Sequence, residues 1–253
     1  MSGLLVVLTI SLPPSLFGQT KPLSSDAKTP ISRVPFVGCK SDGQVGPVPP
    51  PTEVEKTVEL DPSVAQKLAY YESGVSRGVL APRGWFCFGV YGSSGSAFLV
   101  TPEPIDSLSG LKWPITGPVV EVDSTSGDTS GRFEVAKVVA RVFPQYKAFV
   151  QRVIDLFDFF EAEITYGPYP TDTLTYRGER TVEYRTPPNM KGLGTMSGRL
   201  GEDSDPIEGV AVAIVEGETP DLLLLSVRLT AEMRFLTPQI VSHLEQEARN
   251  NPR

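Results

Sequence analysis

The chain holds one histidine, His243, and two cysteines, Cys39 and Cys87, in 253 residues. That scarcity removes much chemistry at once. A site with two histidine ligands cannot be built, and two cysteines alone cannot make a structural zinc site, so no metal is expected. A Ser-His-Asp triad would need His243 to reach a serine from the far end of the chain. Clustered positive charge is lacking too. The net charge is −7, and the basic residues are scattered, which argues against nucleic acid and against anionic membrane surfaces as partners. Long apolar runs are missing as well. The longest, Leu4 to Leu12, falls short of the roughly 20 residues that a spanning helix needs. No membrane span is therefore expected in the mature chain.

What is present begins at the N-terminus. The first twenty residues carry no charge, Pro13-Pro14 follow the apolar run, and Gly18-Gln19 makes a small-to-polar step. This layout predicts a signal peptide over 1–18 and a mature chain starting near Gln19. No Lys or Arg precedes the run, so a buried N-terminal strand or helix stays open as the alternative. Export would place both cysteines where disulfides form. A Cys39–Cys87 bridge is then the simplest outcome, against a buried thiol at Cys87 or an intermolecular bond through Cys39. Phe36-Val37-Gly38-Cys39 faintly resembles a lipid-attachment box, but charges and prolines precede it where an apolar stretch should.

Residues 19–53 hold seven prolines (22, 30, 35, 47, 49, 50 and 51) and read as a tether. The apolar island Val34, Phe36, Val37 and Cys39 is expected to dock on the body. A single domain is expected over 54–253. Asp61-Pro62 should open a helix running to about Glu72. Gly84 to Tyr91 and Ala97 to Thr101 read as strands around a Gly92 to Gly95 turn, and Val119 to Val122 as another, with Asp123 to Ser130 a polar loop. Residues 132–143 form an almost wholly apolar helix, and 145–161 resume as an amphipathic one. Leu174 and Tyr176 should pair with Tyr184 and Val182 across a hairpin. Val210 to Val215 reads as a central strand, and Leu223 to Phe235 as one long strand of period two. A C-terminal helix closes the chain. The class expected is α+β, a mainly antiparallel sheet packed against two or three helices.

Little in this pattern is chemically pointed. His243 lies off the apolar stripe of its helix and reads as a solvated flank. Asp155, Asp158 and Glu161 share one helical face, as any solvated face can. Gly89 to Gly95 imitates a phosphate loop, but a strand follows it where a helix should, so no cofactor is expected. Ser109 and Lys112 match the Ser-x-x-Lys spacing of acylating enzymes, with Gly110 and Pro114 opposing the helix that spacing needs. Two loops could serve a ligand, Leu80 to Cys87 with Arg83 over Trp85, and Thr186 to Thr195 with Lys191. Ser93 and Ser94 in the glycine turn complete the candidate ligand residues.

At Leu80 to Cys87 with Tyr91 to Gly95, and at Thr186 to Thr195, the chain resembles exported bacterial proteins of uncharacterised function. The resemblance implies a bacterial envelope, periplasmic or secreted, and no activity. The expectation is a non-catalytic binding or interaction module for an envelope or extracellular ligand or protein. A hydrolase with serine or carboxylate residues in an atypical arrangement is the alternative.

Overall fold

The computed structural model describes residues 30–105, 107, 112–216 and 218–251. The expected signal peptide and Ser109 lie outside them. The architecture of the described residues is α+β, with twelve strands in two mostly antiparallel sheets and four α-helices.

The smaller sheet has the order β3-β1-β4-β5, built from β1 (Ile31–Gly38), β3 (Glu55–Glu59), β4 (Leu68–Glu72) and β5 (Val79–Pro82). Two expectations need correcting here. Residues 31–38, read as part of a tether, are a sheet strand that pairs antiparallel with β3 through Pro35 and then parallel with β4 from Phe36. Proline sits where the strand changes partner. Val34 and Phe36 are buried, so the island does dock, but as an integral strand. Downstream, Pro50 and Pro51 lie against Gly38, where a Cβ would stand only 2.0 Å from the Pro51 carbonyl oxygen. Proline here stiffens covering chain, which composition alone cannot distinguish from a tether.

The second correction concerns the first helix. Asp61 does cap it, accepting the Ser63 N–H at 2.8 Å, but α1 spans only Pro62–Ala65. Leu-Ala-Tyr-Tyr-Glu then forms β4, whose first four residues are buried. Pairing on both edges outweighs local helix preference there.

The larger sheet has the order β2-β6-β7-β8-β12-β11-β10-β9. Its strands are β2 (Lys40–Gly43), β6 (Phe86–Gly92), β7 (Gly95–Thr101), β8 (Val119–Thr125), β9 (Thr173–Tyr176), β10 (Thr181–Thr186), β11 (Ile207–Glu216) and β12 (Thr219–Arg228). Two meanders meet where β8 pairs with β12. The hairpin register is as expected, Val182 opposite Tyr176 and Tyr184 opposite Leu174. The long strand is not. It ends at Arg228, because the Thr230 carbonyl accepts the Met233 and Arg234 N–H groups and turns the chain. Arg228 itself is 1% exposed and donates to the carbonyls of Gly117, Gly201 and Ile115 at 2.6, 2.7 and 2.8 Å. Its fork ties two loops to the sheet.

Each face of this sheet buries its own core. One face packs α2 (Arg132–Val142) and α3 (Lys147–Leu156) over Leu99, Val119, Ala211 and Leu224. The other packs the small sheet and α4 (Thr237–Asn250) over Phe98, Val122, Val212 and Leu225. Alternate residues of each strand therefore serve opposite cores, which is why β11 and β12 are apolar on both sides. A disulfide joins Cys39, between β1 and β2, to Cys87 on β6. Because Lys40 lies opposite Phe88 in the parallel β2–β6 pair, the bridge sits one register step before it.

Candidate functional site

The residues proposed for ligand contact are dispersed. Arg83 donates to the Ala65 carbonyl at 3.4 Å, while Trp85 packs on the core and gives its backbone N–H to Tyr71 Oη at 3.0 Å. Ser93 and Ser94 occupy the turn at the opposite end of β6, roughly 25 Å away at 3.3 Å per residue. Lys191 stands in the loop after β10. No depression among the described residues gathers all of them.

Two cavities open at that distal end of the sheet. On the α4 face, a cleft of about 1080 Å³ opens between the two sheets. Its floor is Ser96 and Ser124 with Ile214, and its wall carries Lys56, Tyr70, Glu72, Arg77 and Glu247. Lys56 Nζ lies 4.3 Å from the Tyr70 ring centroid and 3.7 Å from Glu247 Oε1. Tyr70 Oη donates to Glu247 Oε2 at 3.2 Å. Burial raises both Glu247 and Glu72 above the ordinary carboxylate range. Ser124 Oγ is buried on this floor with no hydrogen-bond partner.

His243 belongs to this wall from behind, and the solvated-flank reading is overturned. Its side chain is only 10% exposed, with Nδ1 3.9 Å from Glu247 Oε2, and its ring meets Tyr70 edge-on at 5.9 Å. A helical wheel sees only the stripe of α4. It does not see that β4 brings Tyr70 over the flank. Burial, helped by Lys56, lowers the imidazole to about 4. The unfolded chain, near 6.5, then binds more protons, so this group's contribution is full above 6.5 and is lost as pH falls toward 4. We expect His243→Phe to remove a stability loss of roughly 3 kcal/mol across that window. Urea unfolding at pH 7 and pH 4.5 checks it, and an unchanged difference between the two would refute the buried neutral imidazole.

A second cleft, about 570 Å³, lies on the α2 face of the same strands. The Gly92 to Gly95 turn borders both clefts, with Ser124 and Thr125 between them. Gly95 needs to be glycine, since its φ is +138° and a Cβ would stand 2.0 Å from the Ser124 carbonyl oxygen. Glu121 and Asp123, two apart on β8, point to this side. Asp123, expected in a loop, continues the strand opposite Leu224.

One guanidinium serves both carboxylates. Arg199 Nε donates to Glu121 Oε1 at 2.5 Å, and Nη2 donates to Asp123 Oδ1. Ser197 Oγ adds a bond to Glu121 Oε2 at 3.1 Å. Burial, then the Glu121 charge, pushes the Asp123 carboxyl up to about 7 despite Arg199. Burial alone would lower the Arg199 guanidinium, but the two carboxylates outweigh it. The sequence does carry a trace of this. Val-Val-Glu-Val-Asp places two acids on one face of an apolar strand, where a solvated sheet edge would not need so many valines. Asp155 and Glu161, by contrast, are exposed.

Comparison of the chain with protein-family models, with curated proteins and with solved structures finds no match, so the chemistry of these clefts is read from their own residues.

Proposed function

We propose that this is an exported bacterial envelope protein, periplasmic or secreted, whose domain is a non-catalytic binding module for a small polar, hydroxyl-rich ligand held in the inter-sheet cleft. The observation that carries this reading is the floor of that cleft. Hydroxyls at Ser96 and Ser124 lie under a rim where Lys56 and Arg77 alternate with Glu72 and Glu247, and Ser124 Oγ lacks a partner. Mixed donors and acceptors with no dominant charge suit a saccharide or similar polyol better than an ion. An uncharged apolar N-terminus and a disulfide agree with export. No helix among the described residues is long and apolar enough to cross a membrane.

Isothermal titration of the purified mature protein against envelope saccharides and simple polyols tests the proposal. Saturable binding is expected, and Ser124→Ala, which removes the unpartnered hydroxyl, should weaken it while leaving the thermal midpoint close to wild type. Silence across the panel, or equal binding by the variant, would count against the cleft.

A second reading rests on Asp123. A carboxyl near neutral pH beside Glu121, at the base of a cleft, has the acidity of a general acid. Hydrolysis of a glycoside or ester that disappears in Asp123→Asn would favour this hydrolase reading over the binding module.

A further inference from the structure

A third depression, about 620 Å³, lies between the last turns of α2 and the loop over residues 187–202. It shares no lining residue with the inter-sheet cleft, and two cations without an ion-pair partner among the described residues face it. Arg141 comes from the last turn of α2. Its Nη1 donates to the Gly167 carbonyl at 3.3 Å, and its guanidinium carbon lies 4.1 Å from the Tyr169 ring centroid. The turn that carries both partners is itself docked, since the Gly167 N–H donates to the Ala140 carbonyl at 3.0 Å. The guanidinium is thus fixed in place with most of its fork still free.

Lys191 comes from the loop, and its backbone is pinned on both sides. The Asn189 N–H donates to the Asp203 carbonyl at 2.7 Å, with Asn189 in the left-handed region at φ 56°. The Leu193 N–H donates to Asp172 Oδ2 at 2.7 Å. The Lys191 side chain is left exposed on this short anchored segment. Lys137 also lines the depression, but Glu163 at 2.7 Å and Glu134 at 3.3 Å already pair with it. Against Arg141 and Lys191 stand Glu202 in the lining and Asp172, whose charge is felt by Arg141. The lining itself holds one more cation than carboxylate, Lys137, Arg141 and Lys191 against Glu163 and Glu202, and the anion-binding capacity rests on the unpaired fork of Arg141 rather than on net charge.

We propose that this depression binds a compact oxyanion, a phosphate or carboxylate group borne by a small ligand. Arg141 presents its free N–H groups as a fork, and Lys191 supplies a second point charge from the facing wall. A fixed guanidinium loses little freedom when it pairs with a planar or tetrahedral anion, which makes it the stronger partner of the two.

The test is a titration of the isotope-labelled full chain, followed by amide NMR, with inorganic phosphate, with sodium acetate and with sodium chloride at matched ionic strength. Saturable shifts centred on Gly167, Tyr169, Lys191 and Thr195 are expected with an oxyanion and not with chloride. Saturation by phosphate alone would assign a phosphoryl group, and by acetate alone a carboxylate. Arg141→Gln and Lys191→Gln should each weaken binding about tenfold, as loss of a charge-assisted bond does, while Glu202→Gln should strengthen it. Dispersed spectra confirm that the variants fold. Shifts that match those in chloride, or affinity unchanged in both cation variants, would overturn the assignment.

Discussion

Asp123→Asn should stabilise the protein at pH 8 by on the order of 1–3 kcal/mol and leave it near wild type at pH 4. The sign follows from where the proton sits. In the unfolded chain Asp123 loses it near the ordinary value of 3.8, whereas in the fold burial and the Glu121 charge hold it to about 7. Below 3.8 both states are protonated and the group is neutral to stability. As pH rises from there to 7 the native state retains a proton that the unfolded state has given up, so stability falls across that window. Asparagine keeps the shape and has nothing to ionise. The gain is smaller than the full pKa difference implies, because the amide forfeits the ion pair with Arg199.

Arg199→Met should act in the opposite direction. It leaves two buried carboxylates facing each other and releases the 187–202 loop from β8, at a cost of about 3–5 kcal/mol at pH 8 and less at pH 5, where a carboxyl can take up a proton. Urea denaturation of both variants at pH 5 and pH 8 decides the matter. If Asp123→Asn is the less stable protein at pH 8, the single guanidinium satisfies both acids after all. His243 pulls the other way over much of the same range, losing stability as pH falls toward 4. The wild-type pH profile should accordingly be flatter than that of either single-site variant.

Replacing both cysteines by serine should cost roughly 4 kcal/mol, the chain-entropy value for a loop of this size. The sequence separation is 48 residues, and the bond joins the connection between β1 and β2 to β6. Cys39 is 2% exposed, and its N–H donates to the Glu72 carbonyl at 2.8 Å. Without the bridge, β2 is an edge strand of four residues held by its pairing to β6, a two-bond bridge from Ser41 to Val48 and the Ser41 hydroxyl on the Ser73 carbonyl. The urea midpoint should therefore fall on reduction as well as on mutation. Intact mass after alkylation without reductant, on protein recovered from the periplasm of an expressing host, tests the bond and the route of export together. A chain beginning near Gln19 with no alkylated thiol is expected. Retention of residues 1–18 would reject export, and two alkylated thiols would reject the bridge.

The sequence by itself determined those features that depend on neighbours along the chain. Valine, alanine and phenylalanine around nearly every side of residues 132–142 made α2 legible. Alternation across a short polar link set the register of Leu174 and Tyr176 against Tyr184 and Val182. The Gly92 to Gly95 turn marked the β6–β7 hairpin, and a lone pair of cysteines marked their own bond. Tertiary structure decided what covers each surface, and that is where the site lies. Whether residues 31–38, inside the proline-rich stretch 19–53, hang free or form a strand depends on the open edge of β4. Whether His243 is wet depends on Tyr70, which stands 173 positions earlier. The acidity of Asp123 depends on Glu121 beside it and on Arg199, which arrives from a loop 76 residues away. Local periodicity reports which side of an element is apolar. Charge and solvation are fixed by the layer that lands on it, and no local pattern encodes that layer.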